Sequence, residues 1–282
     1  MRPLRTLAAA TLLAVFALPT LALAQSFEGK ITQRQIAVSA YGLSQLLSSE
    51  GEEADITAAA AFELPLERVL ALSDQLGDEA VEVTDMTYYV TERKMRIESR
   101  GSMMPGFMIM DFESGAFRMV IPFQKTYLEI TKEDVDQLRE QYGDEVVEGA
   151  SAGTPEIEPL GMSKEINGMQ CDAYRVTQGE DISQVWVSPE LEDVVSAFAS
   201  FIERMEIFAI EGDEEEQLEV FELIRDHGFP VMEQTLYTSG YEPEYEIMEI
   251  LSVERGTPDA ELFVIPEDYE RRSFLEGIGG GD

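Results

Sequence analysis

Hydrophobic and polar residues alternate with period two along most of this chain and give way to the helical period in a few blocks. In Phe27 to Ile36, residues Phe27, Gly29 and Ile31 fall on one side and Glu28, Lys30 and Thr32 on the other, which predicts a strand. The stretch 41–76 carries the run Ala58 to Ala61 and places Leu66, Val69 and Leu70 at helical spacing. It predicts helices, the second starting at Pro65, because the first turn needs no N–H from proline. Five strands follow closely. Val81 to Thr91 turns at Glu92-Arg93 into Lys94 to Ser99. Phe107 to Phe112 turns at Glu113-Ser114-Gly115 into Ala116 to Phe123, and Lys125 to Ile130 comes next. Alternating segments joined by turn residues predict an antiparallel meander.

Thr131 then caps a helix, with Asp134 three residues on and Val135, Leu138 and Tyr142 along one face. Gly149 to Pro159 reads as a small-residue linker. Met162 to Ile166 and Gln170 to Thr177 flank Asn167-Gly168, the strongest short-range hairpin signal. Ser183 to Val187 is a further strand. Ser188 caps the next helix and Pro189 takes its first position. Leu191, Val194, Val195, Phe198, Phe201, Ile202, Met205 and Phe208 make a 3.6-period apolar stripe along it. A shorter acidic helix is expected over about Glu214 to Arg225. Phe229 to Thr238 and Tyr245 to Glu254 form the last hairpin, Leu262 to Ile265 a short final strand, and 277–282 a loose tail.

Strands in meanders with helices in blocks predict an α+β fold rather than a parallel α/β one. A sheet of about eleven strands must twist and curl. The expectation is therefore a large curved antiparallel sheet, an unclosed β-barrel, with a helical lid. It forms a single domain over 25–276, with the helical insert at 41–76.

The first residues point to export. Arg2 and Arg5 precede an apolar run from Leu7 to Leu18, and Ala22-Leu23-Ala24 supplies a small-x-small site, so 1–24 reads as a signal peptide cleaved before Gln25. No later segment approaches the apolar length of a transmembrane helix. The expected location is the periplasm. Acids outnumber bases 56 to 20, a net charge of −36, which argues against nucleic acid as a partner. Only five of the bases are lysines; abundant acid with scarce lysine fits a saline habitat or simply a strongly solvated surface. One cysteine excludes an internal disulfide, and one histidine excludes multi-histidine metal sites.

Some segments resemble a known pattern. Asp85 to Ile97 (DMTYYVTERKMRI), Met108 to Phe112 (MIMDF), Met119 to Pro122 (MVIP) and Lys125 to Tyr127 (KTY) together resemble the bacterial family called domain of unknown function 4412. Phe27 to Ile31, Gly168 to Val176 and Val185 to Ser188 fit it too. The resemblance covers about half of the mature chain, in patches, and its motifs carry no chemistry. It implies a secreted, Met-rich protein. At a greater distance the layout is similar to the periplasmic lipoprotein-carrier fold, which implies an apolar pocket for acyl chains; this is analogy of fold alone.

Seven of the thirteen methionines (86, 95, 103, 104, 108, 110 and 119) lie between 86 and 119. Methionine is flexible and polarizable. It suits an adaptable lipid-facing surface, ordinary core filling or, through its thioether, Cu(I). The candidate contacts for a lipid-like or other apolar ligand are Met108, Met110, Phe117, Met119 and Ile121 from the sheet, with Phe198 and Phe201 from the lid. Alternation puts Phe117, Met119 and Ile121 on one side of their strand, and a ligand there calls for a void of about 300–1,000 Å³ under the lid. The alternative is an envelope interaction or scaffold protein with a packed core. No catalytic residue, metal site or cofactor emerges. G-x-S-x-G, S-x-x-K, HExxH, CxxC and Walker motifs are absent from the sequence. His227 reads as a helix-end residue. Cys171 is either a buried inert thiol or one open to an intermolecular bridge. The seven bases between 86 and 132 are expected to pair with neighbouring acids. Trp186 is expected in the core or against the lid, and the run Asp213 to Glu216 lacks the spacing of a calcium loop.

Overall fold

The computed structural model describes residues 27–48, 56–101, 106–131, 133–134, 155–204 and 227–273; for 199–204 and 273 it describes the backbone alone. Twelve strands of the described residues form one sheet. They are β1 (Gly29–Val38), β2 (Val81–Val90), β3 (Lys94–Arg100), β4 (Phe107–Asp111), β5 (Ala116–Ile121), β6 (Thr126–Ile130), β7 (Glu156–Ile166), β8 (Met169–Gln178), β9 (Asp181–Ser188), β10 (Phe229–Tyr237), β11 (Glu244–Arg255) and β12 (Glu270–Ser273). Their order is β12-β6-β5-β4-β3-β2-β1-β11-β10-β9-β8-β7. β1 is the seam. The meander β2–β6 lies on one side of it and the meander β7–β11 on the other, and every pairing is antiparallel except β12 with β6. The sheet does not close, so the fold is α+β with one open, curved, antiparallel-dominated sheet.

Register is set by turns and by core. Asn167 and Gly168 both take positive φ, 50° and 82°, the geometry that a two-residue hairpin turn requires. The β1–β2 register runs unbroken from Gly29 opposite Val90 to Val38 opposite Val81. Ile31 and Ile36 are five residues apart on β1 and so point to opposite faces. Each face carries a core. On one, Phe27, Ile31, Tyr88, Val90 and Met95 join Leu191 of a 3-10 turn (Pro189–Leu191) and Val194, Ala197 and Phe198 of α4 (Glu192–Arg204). On the other, Ile36, Val38, Val81, Tyr245 and Ile247 meet α1 (Ala40–Leu47), α2 (Ala58–Phe62) and α3 (Leu66–Leu76) through Leu43, Leu46, Ala61 and Val69. α1 and α2 are capped by Ser39 and Thr57, whose hydroxyls accept from Gly42 and Ala60 N–H groups.

The structure departs from the sequence reading at four places. Helices cover both faces, not one, and the 41–76 block holds three. Strand β7 starts at Glu156, inside the expected linker; it is the sheet's edge, where Pro159 and exposed polar residues are tolerated and no apolar alternation is needed. Residues Ala260–Phe263 form a 3-10 turn, and the last strand lies further on, at β12. Ser188 caps the 3-10 turn rather than α4 itself, accepting from Glu190 N–H at 3.3 Å. The Thr131–Asp134 capping box is made, with Thr131 N–H donating to Asp134 at 2.8 Å and Asp134 N–H donating to Thr131 Oγ1 at 3.3 Å. The helix face at Val135, Leu138 and Tyr142, the acidic helix over 214–225 and the tail at 277–282 lie outside the described residues.

Candidate functional site

Direct cross-strand pairing carries one apolar row across seven strands: Val253, Ile31, Tyr88, Ile97, Met108, Met119 and Leu128. A second row beside it runs Val90, Met95, Met110, Phe117 and Ile130. Opposed side chains in a sheet share a face. Met108, Met110, Phe117 and Met119 therefore lie together, on the face that α4 covers at β1 and β2. Ile121, two residues beyond Met119, is on it as well, opposite Thr126. Burial falls along the rows. Ile31, Tyr88, Val90 and Met95 are buried, whereas Ile97, Met108, Met110, Phe117, Met119, Ile121, Leu128 and Ile130 are half-buried. Met103 and Met104 lie outside the described residues.

The reverse face of the same strands carries the charges, around the buried side chains of Ile109 and Val120. There Lys30, Tyr89, Arg96, Ile109, Arg118 and Glu129 form the corresponding row. Arg118 pairs with Glu129 at 2.5 Å, Arg271 with Glu129 at 3.0 Å, Arg96 with Glu98 at 2.6 Å and Lys94 with Asp111 at 3.5 Å. Asp111 is held below the usual carboxylate range: burial opposes the shift, but N–H donation from Ser114 and Glu113 and the Lys94 and Arg118 charges outweigh it. Five of the seven bases between 86 and 132, Arg93, Lys94, Arg96, Arg118 and Lys125, thus pair with acids of the same chain, and Lys132 lies outside the described residues. The Ala260–Phe263 turn packs beside them, with Arg96 Nη1 donating to the Leu262 carbonyl at 2.5 Å.

Phe198 fills the space between α4 and the sheet. Its ring centroid lies 6.4 Å from Tyr88 and 5.4 Å from Phe229. Phe201 is three residues further along α4, and its side chain is outside the described set. A cleft of about 250 Å³ sits at the far end of the strands, lined by Asp78, Glu82, Glu242 and Glu244 around Ala37 and Ser39. Among the described residues the apolar site is a half-buried face.

Cys171 is buried and free, and burial pushes its thiol up to about 11, so of the two readings of this residue the inert thiol holds. Trp186 is in the core, with Lys164 Nζ 3.9 Å from its ring centroid. His227 is exposed, its ring 4.7 Å from that of Tyr174. Among the described residues no three His, Cys, Asp or Glu side chains are grouped to hold a metal ion. Sequence reading missed Ile97, Leu128 and Ile130, which reach the face only through the register of neighbouring strands. It also missed a carboxyl pair, the buried Glu233 and the half-buried Glu246. The signal for it was Glu233-Gln234-Thr235, three polar residues in a strand whose neighbours are apolar.

Residues 75–269 match the family described as domain of unknown function (DUF4412). The chain belongs to that family. The match indicates no catalytic family. No curated protein is significantly similar in sequence to this DUF4412 chain. Among solved structures it is similar to an uncharacterised conserved protein from Thermus thermophilus, at 9% identity and a TM-score of 0.36, over 68% of this chain and 83% of that one. It is similar to PNGF-II at 10% identity and a TM-score of 0.30, over 87% of this chain and 31% of that one. MucB, solved in complex with MucA(peri), is similar at 9% identity and a TM-score of 0.26, over 85% of this chain and 56% of that one. No helix among the described residues is long and apolar enough to cross a membrane.

Proposed function

We propose that this DUF4412 protein is a non-catalytic periplasmic protein, exported by residues 1–24, that binds a lipid-like or other apolar ligand on the β3–β6 face. The observation that carries this reading is the pair of apolar rows that leave the core half-buried. Met108, Met110, Phe117, Met119 and Ile121 stand in them beside Ile97, Leu128 and Ile130. A solvent-facing sheet surface normally alternates to polar residues, and here the charged residues take the reverse face. Four methionines, at 86, 108, 110 and 119, give the face side chains that re-pack around different shapes at low cost. Phe198 closes the α4 end of the face, and Phe201 extends the same helix.

The filled space under α4 favours a second reading, an envelope interaction protein whose apolar face meets another protein. Native mass spectrometry of protein purified from a periplasm separates the two. The ligand reading expects a chain beginning at Gln25 that carries a small non-covalent adduct of lipid-like mass. A bare chain, or one bound to a second polypeptide, contradicts it.

A further inference from the structure

The side of the sheet that holds Ile31 changes character along the strands. Beyond the apolar rows comes the row Thr84, Gln35, Met248, Glu233, Val185 and Tyr174, and beyond that Glu82, Ala37, Glu246, Thr235, Ser183 and Val176. Glu233 sits at the centre of the sheet and is 5% exposed. Its directly opposed neighbours are Met248 and Val185, both apolar. Its hydrogen-bond partners are two hydroxyls, Thr235 Oγ1, which donates at 3.2 Å, and Ser183, and these two lie 2.8 Å from each other. Glu246, one diagonal away on β11, accepts from Gln35 Nε2 and from the Tyr237 hydroxyl. Among the described residues no Lys or Arg stands in either row. The other titratable groups on this side are Glu82 on β2, Glu244 on β11, Asp181 on β9, and Tyr237, with Tyr174 and its stacked His227 further off. A buried and a half-buried carboxyl thus share a site with neutral donors and further acids, an arrangement in which both cannot hold charge without cost.

We propose that Glu233 and Glu246 form an electrostatically coupled carboxyl pair that tightens the β1–β11–β10–β9 part of the sheet in mildly acidic solution and loosens it in alkaline solution. The inference is independent of the apolar-ligand reading. Burial first, and then the Glu246 charge, push the Glu233 carboxyl up to about 7. Burial raises Glu246 as well, against the Gln35 hydrogen bond. The sign follows from linkage. Between the ordinary value of 4.5 and about 7 the folded chain holds a proton that the unfolded chain has released. Stability therefore falls as pH rises through that window and levels off above it. The span corresponds to a fall of up to roughly 300-fold in the folded-to-unfolded ratio from this one group.

Chemical denaturation of the full chain between about pH 5 and 9 tests the pair. The wild type and Glu165→Gln, a control at an exposed acid of β7, are expected to show this component of the fall, and Glu233→Gln to lack it. Equal pH slopes in the wild type and Glu233→Gln would overturn the proposal. Glu246→Gln removes the like charge and is expected to move the midpoint of the fall to lower pH; an unmoved midpoint rejects the pairing. Infrared spectra need no variant. A buried, protonated carboxyl C=O stretch is expected in the folded wild type at about pH 6 and not at about pH 9. Its absence at the lower pH overturns the proposal even where Glu233→Gln fails to fold.

Discussion

Gly228 sits at the entry to β10 with φ of +117°, and a Cβ built there would lie 2.1 Å from the Ser188 carbonyl oxygen. That carbonyl belongs to the end of β9, where the chain turns toward α4, so no soft side chain can yield. Both the backbone angle and the close approach demand glycine. Gly228→Ala is expected to cost well over about 1 kcal/mol in denaturant unfolding, because the native conformation excludes the new residue. A melt like that of the wild type would show that the junction relaxes freely. Single residues of this kind are only half legible in the sequence. Asn167-Gly168 announced its turn because the dipeptide encodes the positive φ it adopts. Gly228 in Asp226-His227-Gly228-Phe229 gave no sign of the Ser188 backbone forty residues earlier. Glu233 was likewise visible as a polar residue in a strand, but its burial depends on β9 and β11 packing beside it.

At the scale of elements, α4 closes one core. Phe198 is 6% exposed and touches two aromatic rings on different strands. Phe198→Ala removes a buried aromatic from a filled site and is expected to cost about 3–5 kcal/mol in denaturant melts; a cost near zero would make α4 peripheral. The stripe Leu191, Val194, Val195 and Phe198 was readable because helical period and burial coincide. The meander β2 to β6 was readable because short turns fix register between neighbours, and that register is what gathers Met108, Met110, Phe117 and Met119. Elements whose stability comes from partners far along the chain were not readable. β7 lacks alternation because it is an exposed edge, and β12 is four residues held by parallel pairing to β6. Which face each helix covers was hidden for the same reason. Both faces of β1 are apolar, Ile31 on one and Ile36 and Val38 on the other.

For the whole molecule, the excess of acid is the dominant long-range force. A net charge of −36 repels itself in the compact state more than in the unfolded chain. Raising the ionic strength from about 0.01 to 0.15 M shortens the screening length from about 30 to 8 Å. The melting temperature is expected to rise over that range, and a flat response would mean that local ion pairs such as Arg118–Glu129 already balance the field. The same charge makes an anionic head group a poor source of affinity, so an apolar ligand must be held by the apolar rows themselves. Titration of the protein with a fluorescent fatty acid tests that claim most directly. The account predicts saturable binding that Met119→Glu weakens about tenfold or more, because a charge without a partner enters the centre of the apolar face. Binding that does not saturate, or a Met119→Glu protein that binds as tightly as the wild type, would contradict it.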